Sequence, residues 1–373
     1  MKKFILYSQN NINSISLYKD HFGDYLINKI SIENALSMLS KNIYRKSLYN
    51  ILVENIKEDF LLVNAASFDY LVFRDKFLIK NNPYIILDGI LFIAKILNIK
   101  KIDIVLKNYY LEEKDILIKS IVEAEDEDFA REIEINIYTE DVYYKKYKVK
   151  INPFFLENKK YIFDLYTITQ FAYLAHIESF KDHSNNIKGT YLLSISGDVN
   201  NSNLYEFEIG TSFENIINEV GAINRYSSIK CVFTNGFLNP PLKIDCLLKM
   251  KLDYEHFKSF ENGGICFIRD DRCILRVVLK IIKFAKSISC DKCMPCHYGF
   301  DLCEHYLNKI LLGKSNFDDY NNLEDAVNMI INGALCKYIK LISKCIYSTM
   351  YMFKDEFLYA LENKVTLYSF INK

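Results

Sequence analysis

The sequence has no tryptophan and only 12 glycines in 373 residues, where average usage of ~7% would supply about 26. Only Gly23 and Gly89 precede Gly189, no Gly-x-Gly occurs, and the single adjacent pair is Gly263-Gly264. A loop that cradles a phosphate needs glycine so that the backbone can turn tightly and bring its N–H groups to the anion. The N-terminal half contains no such loop. Cysteine is absent from the first 230 residues. A disulfide framework belongs to short secreted chains, which this is not. Neither sign of charge is in excess, with 47 Lys and Arg against 47 Asp and Glu. A neutral chain without a basic block gives no reason to expect a nucleic-acid partner. Long apolar runs are also missing. The most apolar stretch, Tyr84 to Ile99, contains Asp88 and Lys95 and is too short to span a bilayer. Met1 to Tyr7 turns polar at Ser8, too soon for the apolar core of a signal peptide. The expectation is a soluble, cytoplasmic protein with no direct membrane span.

What is present is a large apolar fraction, half of the chain, including 28 Tyr and 26 Phe that mostly build core. The length allows two or three domains. The first half reads as α/β. Phe60-Leu61-Leu62-Val63 is a short buried strand. Asn82-Pro83 supplies an N-cap with proline at the first helical position. Ile86, Leu87, Ile90, Leu91, Ala94 and Leu97 then recur at helical spacing. Ile102 to Leu106 is a second strand, Leu111 to Ala124 a charged helix, and Ile133, Ile135 and Ile137 alternate as a half-exposed strand. This alternation suggests a parallel, Rossmann-like sheet. From Gly189 a hairpin follows, with strands at Tyr191–Ser196 and Tyr205–Ile209 around an Asn-rich turn. Thr211-Ser212-Phe213-Glu214 opens a helix as a capping box. Hairpin then helix fits a small β-grasp-like domain. The last hundred residues read as helical, starting with an amphipathic helix over Arg272 to Ser287.

All ten cysteines lie between Cys231 and Cys345. Cys290, Cys293 and Cys296 form a Cys-x-x-Cys-x-x-Cys run. Three thiolates at this spacing wrap one loop around three corners of a [4Fe-4S] cubane, and a remote fourth Cys closes the site. The competing reading is a four-cysteine zinc site, which more often uses two separated Cys-x-x-Cys pairs. Spacing does not choose the fourth ligand: Cys303 and Cys336 both remain open. Cys231, Cys246, Cys266 and Cys273 sit in apolar, strand-like contexts and read as buried structural thiols. Cys303 and Cys345 fall on predicted helices and read as core. The scattered His21, His176, His183, His256 and His305 read as surface or satisfied core residues. The acidic run Glu123 to Asp128 reads as a solvated loop.

Ser289 to Gly299 resembles the Ser-Cys-x-x-Cys-x-Pro-Cys-x-x-Gly motif of the family of NADH-binding flavoprotein subunits of respiratory complex I (NADH:quinone oxidoreductase), with NADH-linked hydrogenases and formate dehydrogenases among its relatives. Leu335-Cys336 is similar to that family's Leu-Cys, and Phe353 to Phe357 to its Phe-x-Asp-Glu-Phe/Tyr tail. The resemblance implies Cys336 rather than Cys303 as the fourth ligand. His297 departs from the family's usual Arg, which bears on the cluster's potential rather than its ligation. Upstream, Ser196-Gly197-Asp198-Val199 and Phe207 to Thr211 resemble the family's soluble-ligand-binding β-grasp (SLBB-like) domain. Asn262-Gly263-Gly264-Ile265 resembles the segment leading into the cluster domain.

In that family a Gly-rich loop cradles FMN and NADH. Here Ser40 to Lys46 stands in its region without a glycine. The family's Asn-Ala-Asp-Glu-x-Glu-Pro-Gly-x-Phe-x-Asp-Arg reads Asn64 to Lys76. Asn64, Phe73 and Asp75 survive, but the acidic pair has become Ala66-Ser67 and Pro-Gly has become Tyr70-Leu71. The family's Asn-Asn-Val-Glu-Thr segment falls near Asp164 to Thr169 without either Asn. The expected fold class is therefore α/β plus α. Residues 1–187 would form a degenerate Rossmann-like domain, 188–271 the β-grasp domain, and 272–373 a helical bundle carrying the cluster. The expected function is a [4Fe-4S] electron-transfer subunit without autonomous catalysis, with FMN and NAD absent. It would work beside iron-sulfur partner chains of an oxidoreductase complex and reach a membrane only through them. Two alternatives are a working FMN-containing NADH dehydrogenase subunit with a divergent nucleotide site, and a structural assembly subunit.

Overall fold

The computed structural model describes residues 12–41, 46–53, 60–66, 69, 71–124, 130–140, 162–179, 190–220, 229–253, 255–256, 259–260, 262–289 and 291–366. Two compact units divide the chain. One comprises Met1–Leu192 with Glu206–Ile209, the other Leu193–Tyr205 with Gly210–Lys373. The expected boundary at 271/272 lies inside the second unit.

The first unit opens with helices α1 (Ile15–Phe22), α2 (Leu26–Lys29), α3 (Ile32–Lys41) and α4 (Lys46–Val53). An α/β layer follows: β1 (Leu61–Ala65), α5 (Arg74–Asn81), α6 (Pro83–Leu97), β2 (Lys101–Leu106), α7 (Leu111–Ala124), β3 (Glu134–Thr139), β4 (Ile162–Asp164) and α8 (Leu165–Ser179). The sheet order is β3-β2-β1-β4, and every pairing is parallel. Parallel strands covered by helices are buried on both faces. The mostly apolar, largely buried strands β1 and β2 meet that requirement, and Leu62, Ala66 and Val105 pack together at no exposure. At the β3 edge Glu134 is exposed and Ile135 to Thr139 are half-buried, a half-exposed strand as expected but without alternation in burial. Helix α6 starts as expected: Asn82 Oδ1 accepts from Ile85 N–H at 3.1 Å and Pro83 occupies the first turn.

The N-terminal helices are tied to this layer by a buried polar cluster. Tyr18 Oη donates to Asp88 Oδ2 at 2.5 Å, His176 Nε2 lies 2.6 Å from the same oxygen, and Leu26 N–H donates to Asp88 Oδ1 at 2.9 Å. Asp88, the charge inside the most apolar stretch, is thereby satisfied, and His176 is a satisfied core residue.

A second sheet comprises β5 (Thr190–Gly197), β6 (Asn203–Glu208), β7 (Ile229–Phe233) and β8 (Gly264–Arg269), in the order β6-β5-β8-β7. β5 runs parallel to β8, and β7 antiparallel to it with an irregularity between Ile229 and Cys231. Helix α9 (Phe213–Val220) follows the hairpin as expected, but the capping bond falls one residue after the Thr211–Glu214 box, with Ser212 Oγ accepting from Asn215 N–H at 3.3 Å. Gly197 has φ +89°, and a Cβ there would stand 2.2 Å from the Phe267 carbonyl oxygen, so only glycine fits. A short helix α10 (Ile244–Leu248) precedes β8, and the helices α11 (Ile274–Ile288), α12 (Met294–Leu311), α13 (Phe317–Gly333), α14 (Lys337–Met352) and α15 (Lys354–Asn363) complete the chain. Cys231, Cys266 and Cys273 are buried as expected, but Cys246 is exposed on α10. Five residues of helix leave its polar side to solvent, and the apolar context that suggested burial belongs to Leu247. No single described helix is long and apolar enough to cross a membrane.

Candidate iron-sulfur site

The site begins where α11 stops at Ser289 and the chain must turn into α12 within a few residues. Asp291 takes up φ +57° in that turn, a conformation that a short polar side chain tolerates. Its carboxylate lies 2.8 Å from His297 Nδ1, an exposed pair beside the cysteine run. Cys293 is the N-cap of α12 and Pro295 sits in its first turn. Cys296 N–H and His297 N–H both donate to the Cys293 carbonyl at 3.0 Å. This short turn brings Cys293 Sγ to 3.4 Å from Cys296 Sγ. Cys290 lies outside the described residues.

Cys336 is the N-cap of α14, about forty residues on, and is 5% exposed. Two glycine contacts draw it toward the run. A Cβ on Gly333, at the end of α13, would stand 2.7 Å from Pro295 Cγ, and one on Gly299 would stand 2.6 Å from Ile330 Cγ1. Helices α12 and α13 therefore pack at a spacing that side chains at these two positions would forbid. The chain leaves Gly333 beside Pro295 and passes straight into Leu335-Cys336. The Leu335 backbone in turn hydrogen-bonds the Cys293 side chain.

This surrounding sets the thiol chemistry. Burial pushes the Cys293 thiol up, but the Leu335 and Cys296 backbones, the Cys296 side chain and its own backbone outweigh that and bring it below the usual value. Thiolate, the form that binds metal, is also favoured where a helix N-terminus presents its N–H groups. Cys303 differs. It is fully buried in the middle of α12, and desolvation pushes its thiol up to about 12. Cys345 is likewise fully buried on α14. Both are core residues, as their helical context implied.

Two supports were not legible from motifs. Glu356, in the Phe353–Phe357 tail, receives Lys230 Nζ at 2.5 Å, and its other oxygen accepts Ile274 N–H at 3.3 Å, at the start of α11. Lys230 is nearly buried. Asp198 of the Ser196–Val199 motif accepts from Arg272 Nε at 2.9 Å and from Arg269 N–H at 3.1 Å. Both acidic residues thus hold the strand–helix junction that leads into the cysteine turn. Only the fold could pair them, since nothing local links Lys230 to Glu356 or Arg272 to Asp198.

In the first unit the surviving family residues lie at the carboxyl end of the parallel sheet. Asn64 Oδ1 accepts from Ala66 N–H at 3.0 Å. Asp75 is 6% exposed on α5, and its carboxyl is pushed up to about 6. Desolvation is the main cause, with Asp164 adding to it and Arg74 and Lys107 opposing. Leu71 is buried, while Ser67 and Tyr70 lie outside the described residues. So do 42–45, at the centre of the glycine-free stretch.

Family models match both regions. The NADH-ubiquinone oxidoreductase-F iron-sulfur binding region matches residues 276–360, and the Nuo51 FMN-binding domain matches residues 50–150. The chain is 27% identical over 175 residues to the NADP-reducing hydrogenase subunit HndC of Solidesulfovibrio fructosivorans, a stretch covering 46% of this chain and 36% of that one. It is 25% identical over 178 residues to the NADH-quinone oxidoreductase F subunit of Mycobacterium bovis, covering 47% and 40%. The aligned stretches thus span well under half the length of these relatives. A crystal structure of an NAD+-reducing [NiFe]-hydrogenase in the air-oxidized state superposes with a TM-score of 0.70 at 17% identity, covering 90% of this chain and 63% of that chain. That likeness shows the fold: mixed α/β with a parallel sheet and helices. The two matched regions and the relatives agree, and together they support the family of flavoprotein subunits that includes the F subunit of NADH-quinone oxidoreductase and its hydrogenase counterpart.

Proposed function

We propose that this protein is a [4Fe-4S] electron-transfer subunit of a multi-subunit oxidoreductase of the NADH dehydrogenase type. Cys290, Cys293, Cys296 and Cys336 are its iron ligands. The observation that carries this is the meeting of the Cys293 turn with the Leu335-Cys336 turn, reached through Pro295 and Gly333. It supports Cys336 over the buried Cys303. The donor set fits the group: soft thiols at helix N-termini, one of them hydrogen-bonded by backbone, suit iron-sulfur ligation. A bound cluster supplies one-electron storage. The chain's own residues hold and orient it. Cys293 and Cys336 start two helices, Pro295 and Gly333 set their separation, and the backbone at Leu335 and Cys296 stabilises thiolate charge at Cys293. Cys296 and Cys336 are buried, which limits water at the ligands.

In this reading residues 1–187, 188–271 and 272–373 are a degenerate Rossmann-like part, a β-grasp part and the helical cluster part. The first binds neither FMN nor NADH, because a backbone without a glycine-rich loop cannot close on a flavin phosphate. Partners are iron-sulfur chains that supply and accept single electrons. A second reading, a working FMN-containing NADH dehydrogenase subunit, is favoured by the FMN-binding family match over residues 50–150.

Metal, sulfide and flavin analysis of anaerobically purified protein, with an EPR spectrum after dithionite reduction, separates these readings. About four iron and four sulfide per chain with no flavin is the expected result for one cluster. Iron with one FMN per chain promotes the second reading. Zinc without sulfide removes both and leaves a structural subunit.

A further inference from the structure

In the first unit the strand order β3-β2-β1-β4 makes β1 the point of reversal. From β1 the chain winds to β2 and β3 on one side, then returns to β4 on the other. Connections that diverge from neighbouring parallel strands leave a crevice beyond their carboxyl ends, and there α/β sheets bind ligands. The pairing of Asn64 with Asp164 puts the ends of β1 and β4 level.

That crevice holds Arg74, the first residue of α5. Its guanidinium carbon sits 4.1 Å from the centroid of the Tyr166 ring, just past the end of β4. Nη1 lies 3.4 Å from Tyr191 Oη and Nη2 3.9 Å from Asp164 Oδ1. Tyr191 meets Tyr166 edge to face at 5.4 Å. The Tyr166 hydroxyl is itself anchored, accepting Leu192 N–H at 2.9 Å. Arg74 is only 7% exposed, and its Nε finds no hydrogen-bond partner among the described residues. Burial disfavours its charge, but Tyr191, Asp164, Asp75 and Tyr166 outweigh that and keep it protonated.

A guanidinium kept ready for an anion leaves its fork open to solvent. This fork is turned onto the chain's own phenol and carboxylate, and its flat face is covered by a ring. We propose that the crevice at the β1–β4 reversal is sealed by the chain itself, with the Arg74 guanidinium on Tyr166 occupying the place where a sheet of this order offers its site to a nucleotide. The seal rests on the flavin-free reading of this unit and adds a second physical cause to the missing glycine loop.

Phenylglyoxal modification of the full-length protein, followed by peptide mass mapping, tests the seal, with Arg276, which is exposed, as internal reference. Arg74 is expected to react at least tenfold more slowly than Arg276. It stays protected in Tyr166→Phe, which keeps the ring, and reacts near the Arg276 rate in Tyr166→Ala. Added FMN changes none of these rates. Arg74 reacting as fast as Arg276 in flavin-free wild-type protein overturns the seal and leaves the flavin-free reading standing. Protection that persists in a Tyr166→Ala variant shown folded by circular dichroism also overturns it. Protection that depends on bound FMN sinks both. Should Tyr166→Ala not fold, the wild-type comparison still decides.

Discussion

Cys303 and Cys336 are the same group in different surroundings, and the difference is what a ligand requires. Cys303 lies mid-helix, away from any helix end, where desolvation holds it as a thiol. Cys336 opens a helix whose first N–H groups favour thiolate. Cys336→Ala is expected to lose most of the iron. Cys303→Ala is expected to keep it, with a stability loss of roughly 1 kcal/mol, ordinary for a small core truncation. Iron analysis of both variants checks this, and the reverse pattern would sink the ligand assignment. Asp75 supplies a pH dependence. Its carboxyl lies near 6 in the fold against 3.8 unperturbed, so the folded state binds the proton more tightly. Its contribution to stability is therefore fully present below about pH 4 and is lost as pH rises through about 6, by on the order of 2–3 kcal/mol. Asp75→Asn mimics the protonated form and is expected to flatten this slope. Denaturant melts followed by circular dichroism between pH 4 and 7 measure it, and an unchanged slope would rule Asp75 out as its source.

Between elements, the pairing of α12 with α13 turns on two residues that lack side chains. Alanine normally stabilises a helix over glycine by ~1 kcal/mol. At Gly299 the added Cβ would meet Ile330 at 2.6 Å, and overpacking of this kind costs about 1–3 kcal/mol. The clash outweighs the propensity, so Gly299→Ala is expected to lower the melting temperature and weaken iron retention. Adding Ile330→Ala should recover part of the retention by making room. If Gly299→Ala alone raises the melting temperature, the close approach is wrong. Element legibility followed length and pattern. Leu111 to Ala124 was readable as a charged helix and Ile102 to Leu106 as a short, mostly apolar strand, because each is set by its own stretch of sequence. β4 was not, because three residues become a strand only when β1 lies alongside. The glycines of Ser289–Gly299 and α13 were visible as letters, but their role as contact points appears only when the helices cross.

At the scale of the whole chain, division into two compact units argues against a single two-state description. Metal ligation adds folding energy only to the unit that holds the ligands. Removing iron by chelation is expected to lower one calorimetric transition by about 10 °C or more, taking several kcal/mol at roughly 2–4 °C each for a unit of this size. The other transition should stay within a degree or two. A coordinated shift of both would show that the units unfold as one.

The sequence by itself determined what is local: three cysteines in one seven-residue run, the strand and helix periodicities of the first half, and the absence of a glycine loop. These depend on neighbours along the chain, where spacing is geometry. The tertiary structure alone decided which distant groups meet. Pro295 lies against Gly333, Lys230 reaches Glu356 across 126 residues, and Arg74 finds Tyr166. No periodicity encodes such pairs, because each exists only after packed elements bring the two chain segments to the same place.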